Sequence, residues 1–282
     1  MPLFSLIVPS IQRVAEVADL FASLAEQTCR NFEVILVDQN PDGRLIPLIE
    51  QYSSQFPIQH IRQVEPGAAR ARNAGFRAAH GQFILWPDDD CWYPSDLLAR
   101  TQALFERRPD LAGAIGILVD ETGLPHTRWT PRHERLVSLM DVFTNGAEPA
   151  LIFRREVVVA TGGFDDSLGT GAQTPWGAGE GTDLCVRALQ SGQKLGLVPE
   201  LTIFHKRADI LEDEQAQWRK PRAYARGMGA VLKKNRLNPS FIATYFLIYI
   251  RALVWAGLHG RWNDTSYHWV RIQSLVEGWR RY

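Results

Sequence analysis

An α/β fold with a mainly parallel sheet flanked by helices, followed by a helical C-terminal tail, is predicted for this chain of 282 residues. Three observations carry the prediction. Short β-branched runs alternate with amphipathic stretches over residues 1–119; two of these runs end in acidic residues; and residues 215–282 turn basic and aromatic. Such alternation is the pattern of parallel strands covered by helices. The composition, 45% hydrophobic and 22% charged, is that of a globular protein rather than a disordered one.

Residues 4–8 read as the first strand; the run is too short for a signal peptide and no basic leader precedes it. Val14, Val17, Leu20, Phe21 and Leu24 follow at helical spacing, and residues 32–38 form a second strand that ends on Asp38. A third strand over 58–64, a helix over 68–79 and a fourth strand over 82–86 lead directly into Pro87, Asp88, Asp89 and Asp90. A helix over 94–107 and a strand over 111–119 come next, then an irregular excursion to about residue 135. Residues 162–181 contain seven glycines, too many for the interior of a regular element, and read as a mobile loop leading into a helix. Residues 201–204 form a strand before His205. In open sheets of this kind ligands bind beyond the carboxyl ends of the strands, so Asp38 and the Asp triplet are expected to converge there.

The tail carries twelve Lys or Arg against Asp264 and Glu277, a local charge of about +10 in a chain of zero formal net charge. Two readings follow: a surface for anionic lipid, or a tail docked on an acidic body. That acidic body argues against a nucleic-acid partner. Residues 241–258 are apolar but for Arg251, marginal for spanning a membrane and suited either to its interface or to packing on a protein. Cys29, Cys91 and Cys185 are widely separated, which fits reduced thiols and a cytoplasmic protein, with the inner face of the cell membrane as the alternative address.

Three adjacent carboxylates repel one another, and a divalent cation such as Mn²⁺ or Mg²⁺ compensates them by taking one or two as ligands. The alternative for Asp88–Asp90 is an acidic turn capping the next helix. Upstream, Gly67, Ala68 and Ala69 with Arg70 and Arg72 open a helix whose N-terminus suits phosphate, or packs closely on the sheet. Glu180 and Asp183 begin the helix after the glycine-rich loop; either is a candidate general base for removing a hydroxyl proton, or both are first-turn acids favoured by the helix dipole. His205 is a metal ligand if it lies near the triplet, and a structural histidine otherwise. Trp176 either stacks on an acceptor sugar or anchors its loop. The first strand lacks a following G-x-G-x-x-G, which argues against a dinucleotide-dependent oxidoreductase.

In this order the segments resemble glycosyltransferase family 2, inverting enzymes with the Rossmann-like GT-A fold. The resemblance covers residues 4–207 through Ser5 to Pro9, Val37-Asp38, Ala71 to Gly75, the Asp triplet, Gly162 to Asp165, Glu180 to Arg187 and His205. It implies a catalytic domain over 1–214 and an appended tail over 215–282. It also implies that Pro9, Ser10 and Asp38 surround the nucleobase, with Arg72 near the base or diphosphate, Asp88 toward the ribose, and Gly67 and Asp89 among the nucleotide-sugar contacts. Asp90, with His205, would hold the metal. The implied partners are a nucleotide-diphosphate sugar and a glycan, polysaccharide or lipid-linked acceptor. The sequence departs from the family at Gly181, which stands where an Asp commonly follows the Glu; Glu180 is the first choice of base and Asp183 the second. The same departure supports an alternative, a catalytically weakened nucleotide-sugar binding or scaffold protein.

Overall fold

The computed structural model describes residues 1–127, 129–206 and 214–282, the side chains of 214–217 excepted. The chain runs β1 (Phe4–Ser10), α1 (Ala15–Ala25), β2 (Phe32–Asp38), α2 (Ile46–Tyr52), β3 (Ile58–Arg62), α3 (Ala68–Ala78), β4 (Phe83–Leu85), β5 (Cys91–Trp92) and α4 (Leu97–Arg107). It continues through β6 (Gly113–Val119), β7 (Arg135–Leu136), α5 (Leu139–Asn145), a 3-10 turn (Glu148–Ala150), β8 (Leu151–Arg154), α6 (Arg155–Thr161), α7 (Glu180–Gln190) and β9 (Leu195–His205). Three long helices close it: α8 (Glu214–Lys234), α9 (Pro239–Leu258) and α10 (Trp262–Arg281).

The sheet order is β3-β2-β1-β4-β8-β6-β9-β5, with β7 paired to β9. The long ladders, β1 with β2, β2 with β3 and β6 with β9, are parallel, whereas β8 runs antiparallel between β4 and β6. The β1 sequence is apolar on both faces because both are covered. Leu6, Val8, Val34 and Leu36 face one buried layer with Leu20, Phe21 and Leu104, while Ile7, Ile35 and Val37 face the other with Ala71, Leu184 and Val231. The two-residue period of the strands thus divides one sheet between two cores.

Small residues set how closely α3 approaches this sheet. A Cβ on Gly75 would lie 3.1 Å from Val37 Cγ2 and nearer still to Ile7, so Gly75 is required by close approach rather than flexibility. Within β1, β4 pairs with Phe4 to Leu6 only, so Pro9, which cannot donate to a ladder, lies past the last of these pairs. The order β2-β1-β4 puts Asp38 and the Asp triplet on either side of the carboxyl end of β1.

The tail joins the body through α8. Ala225, Ala230, Val231 and Leu232 are buried in the main core, and Gly177 N–H donates to the Ala223 carbonyl at 3.1 Å. α10 packs along α8 with Gly229 against Gly278, where an added Cβ would come within 3.1 Å of Gly278 Cα. The expected boundary at 214 adjoins residues 207–213, which lie outside the described residues. α9 is mostly exposed: Leu247, Ile250, Val254 and Leu258 stand along one stripe.

Candidate active site

β4 ends at Leu85 and the chain turns through Asp88 to Asp90 into β5, whose two residues pair antiparallel with the end of β9, Cys91 opposite His205. This short pairing brings a distant histidine to the triplet. His205 Nε2 lies 3.3 Å from Asp90 Oδ1 and 3.9 Å from Asp88 Oδ2. Its Nδ1 is buried without a hydrogen-bond partner among the described residues, so the polar chemistry of the ring is concentrated on Nε2.

Arg72, 3% exposed on α3, crosses the site floor. Its Nη2 donates to Asp88 Oδ1 at 2.6 Å and its Nη1 to Glu180 Oε1 at 3.1 Å. Arg13, from the β1–α1 connection, contributes a second cation that donates to Asp89 Oδ1 at 2.9 Å and also pairs with Asp90. Burial pushes the Asp89 carboxyl up to about 6, with Arg13 and Ser10 pulling the other way. Arg13 offered only a lone basic residue in the sequence, and nothing local tied it to a triplet so far along the chain.

These residues suit a divalent cation. Asp90, Cys91 and His205 each place a ligand atom within 4.8 Å of the others. Cys91 is wholly buried and burial, with Asp88 and Asp90 nearby, raises its thiol well above the ordinary value, so the sulfur is a poor donor. Asp90 and His205 then form an oxygen–imidazole pair with Asp88 alongside, a donor set for Mn²⁺ or Mg²⁺ that leaves positions for phosphate and water.

On the other side of β1, Asp38 is buried. Its Oδ1 accepts from Asn40 N and Nδ2 at 2.9 and 2.8 Å, and His60 Nε2 stands 3.0 Å from Oδ2. Ser10, also buried, lies between Asp38 and Asp89 in the sheet frame, with its hydroxyl donating to the Arg13 carbonyl at 3.3 Å. Gly67 has φ of 143°, and its N–H donates to Gln39 Oε1 at 2.9 Å; the Ala68 N–H donates to the Thr170 carbonyl at 2.9 Å. The first donors of α3, expected to be open to phosphate, are thus closed by Gln39 and the glycine-rich segment.

Two expectations about α7 need correction or refinement. Asp183, the second choice of base, is fully buried and turned away: it accepts from Arg187 Nε, Lys234 Nζ and Asn235 Nδ2, each at 2.8 Å, and ties α7 to α8. The packing of α8 is the reason: although residues 180 and 183 share a face of α7, Lys234 and Asn235 cover the latter. Asp183→Asn is expected to lower stability by about 1.5–3 kcal/mol, leaving nucleotide affinity unchanged, as checked by denaturant unfolding and calorimetry. Glu180 does face Arg72, but it is 4% exposed and covered by Gly169, where any side chain would collide with its carboxylate. Trp176 stands 5.8 Å ring to ring from Tyr282, the contact of a loop anchor.

Glu148 joins the site without any distinctive local signal in the sequence. It lies on the 3-10 turn before β8 and accepts from Gly181 N at 2.6 Å. Burial, then Glu180 and Asp88, push its carboxyl up to about 8 against the pull of Arg72. The signal available was an acid followed by Pro149 at the start of an apolar run, too common to single out.

The sheet gathers acidic residues, two arginines and a histidine at the carboxyl ends of its strands, and the chain falls in the class of glycosyltransferases. The chain belongs to Glycosyl transferase family 2, whose profile matches residues 5–160. An uncharacterized glycosyltransferase of Haemophilus influenzae is 39% identical over 110 residues, 39% of this chain and 36% of that protein. The chain spans only about a third of the length of that curated relative. Among solved structures, S. aureus TarS 1–349 superposes with a TM-score of 0.66 at 16% identity, over 99% of this chain and 92% of that one. The mannosyltransferase PcManGT from Pyrobaculum calidifontis, in complex with GDP-Man and Mn²⁺, gives 0.67 at 14% identity over 100% and 88%. TarS 1–349 has also been solved with UDP-GlcNAc. At these identities the likeness is one of fold.

Proposed function

We propose that this chain is a metal-dependent inverting glycosyltransferase that moves a sugar from a nucleoside diphosphate to a hydroxyl of a glycan, polysaccharide or lipid-linked acceptor. The observation that carries the reading is the facing of Asp90 and His205 beside the Arg72–Asp88 pair at the carboxyl end of β4. Pro9, Ser10 and Asp38 would line the nucleobase, Asp88 would approach the ribose with Asp89 beside it, and Arg72 would face the base or diphosphate. Asp90 and His205 would hold Mn²⁺ or Mg²⁺, which supplies positive charge to the departing diphosphate. The acceptor hydroxyl, losing its proton to a carboxylate, would displace that group from the opposite face and invert the sugar carbon. Similar folds solved with UDP-GlcNAc and with GDP-Man and Mn²⁺ support the donor class.

Calorimetry with UDP, GDP and TDP, with and without Mn²⁺, tests the reading. One nucleotide is expected to bind in a metal-dependent way, and its sugar conjugates then define the donor. Folded protein that binds none of them would sink it.

The tail suits work at the inner face of a membrane. α9 is long and apolar enough to cross a bilayer, and 11% of its apolar window is buried. Exposed Arg251 in mid-helix, with Trp255, Trp262 and Trp269 exposed nearby, favours a helix lying in the interface. Binding to phosphatidylglycerol vesicles is expected to weaken with salt and to fall at least tenfold in Leu247→Glu/Val254→Glu, each apolar side chain being worth about 1.5–3 kcal/mol when buried. Sedimentation that ignores lipid charge and both substitutions would count against it.

A further inference from the structure

Gly181 removes the side chain from the α7 position that would point into the site, and another residue occupies that space. A Cβ on Gly181 would lie 2.6 Å from Glu148 Oε1 and 3.0 Å from Glu148 Cδ. The Gly181 N–H holds the same Oε1 at 2.6 Å, so the carboxyl is fixed where a short acidic side chain at 181 would have ended. It comes there from the opposite direction, from the 3-10 turn that starts β8, next to the strand that delivers Asp88.

Three carboxyls surround the start of α7, and their partners differ. Asp183 is bound by Arg187, Lys234 and Asn235, and faces α8. Glu180 is bound by Arg72 and roofed by Gly169. Glu148 retains some solvent exposure, and among the described residues no Lys or Arg side chain hydrogen-bonds to it. Only this carboxyl therefore combines access with a lone pair not committed to a cation.

We infer that Glu148 is the general base of the transfer, standing in for the side chain that Gly181 lacks. The inference rests on the transferase reading above. In the step, the acceptor oxygen forms a bond to the sugar carbon as the bond from that carbon to the diphosphate oxygen breaks. The bonding pair leaves with the nucleoside diphosphate, the acceptor proton passes to Glu148, and Glu148 later yields it to solvent. A base of high proton affinity accepts a hydroxyl proton more readily once it is itself ionised. The charged and titratable groups facing Glu148 are Glu180 and Cys185 from α7, Asp88 after β4, Arg72 from α3 and Tyr224 from α8. Glu180 and Asp88 raise its proton affinity and Arg72 lowers it, giving the value of about 8.

The test uses full-length protein and release of nucleoside diphosphate from whichever of UDP-GlcNAc or GDP-mannose it binds, with water as the acceptor. Wild-type release is expected to rise about tenfold per pH unit below pH 8 and to level off above it. Glu148→Gln keeps an oxygen for the Gly181 N–H, so it is expected to bind the same nucleotide with unchanged affinity and to melt no lower at pH 9. Its release should fall on the order of 10²–10⁴-fold and lose the pH slope. Glu180→Gln is expected to keep the slope and move its midpoint to lower pH, because a neighbouring negative charge is gone. Glu148→Ala/Gly181→Asp puts a carboxylate back from the α7 side and is expected to recover at least tenfold over Glu148→Ala.

Wild-type release that Glu148→Gln leaves intact overturns the base assignment alone. A double variant no better than Glu148→Ala overturns the claim that positions 148 and 181 serve one point in space. Protein that binds the nucleotide sugar but releases nothing at any pH overturns the transferase reading, and Glu148 with it.

Discussion

Arg72→Met is expected to lower stability by about 3–5 kcal/mol, because it leaves the buried Glu180 and the partly exposed Asp88 without their shared cation. The guanidinium is 3% exposed, bonds Asp88 at 2.6 Å and Glu180 at 3.1 Å, and lies 5.7 Å from the centre of the Phe164 ring. Burial alone would loosen its proton, yet Asp88, Glu148 and Glu180 together hold it above the ordinary arginine value. Methionine fills much of the volume and supplies none of the charge. For a chain of this size the melting temperature should drop on the order of 10 °C.

The sign of the pH dependence follows from the neighbours. Without Arg72 the carboxyl of Glu148 gains proton affinity, so it stays protonated to higher pH in the variant than in the wild type. The stability deficit should therefore shrink as pH falls toward 8 and stay level below it. Glu148 contributes in the same sense even in the wild type. Its folded value of about 8 lies above that of an unfolded glutamate, so the stability it provides is complete at low pH and is lost as pH rises through 8. Scanning calorimetry at several pH values would decide. A variant that melts within 2 °C of wild type and still binds nucleotide would show that the site does not depend on this cation.

Asp90→Ala is expected to abolish metal-dependent nucleotide binding and to reduce transfer on the order of 10³-fold or more, a loss of several kcal/mol of charge stabilisation. Its side chain faces His205 Nε2 at 3.3 Å and is paired with Arg13. Among the described residues no other carboxylate stands so close to that imidazole, Asp88 being 3.9 Å away and already held by Arg72. The variant should not be unstable, since removing one of three adjacent carboxylates relieves repulsion and Arg13 keeps Asp89 at 2.9 Å. The diagnostic result is calorimetric: affinity without metal equal to wild type, and no gain when Mn²⁺ is added. A full Mn²⁺ response in the variant would remove Asp90 from the metal site.

Much of the fold was written locally. The alternation of β-branched runs with helical apolar spacing predicted β1 to β4 and α1, α3 and α4 to within a few residues, because each strand and helix must show its own period to a core. The antiparallel β8, the two-residue β5 and β7, and helices α2, α5 and α6 escaped, being too short to show a period. Strands ending in Asp38 and in Asp88 to Asp90 could be expected to converge, since open sheets gather their ligands at carboxyl ends. That much the sequence determined by itself, along with the class of chemistry and the amphipathic character of the tail.

Tertiary structure alone decided which groups stand together and which way they face. His205 reaches the triplet only because β5 pairs with β9, and Arg13 only because the first loop folds back on it. Asp183, three residues from Glu180, meets Lys234 and Asn235 because α8 packs over its part of α7, and becomes a structural link. Glu148 meets Gly181 through the insertion of β8, a long-range contact with no local trace. A side chain's residue type states which proton or charge it can carry; its neighbours, burial and direction depend on segments far along the chain, and these determine whether it carries that charge to the reacting atoms.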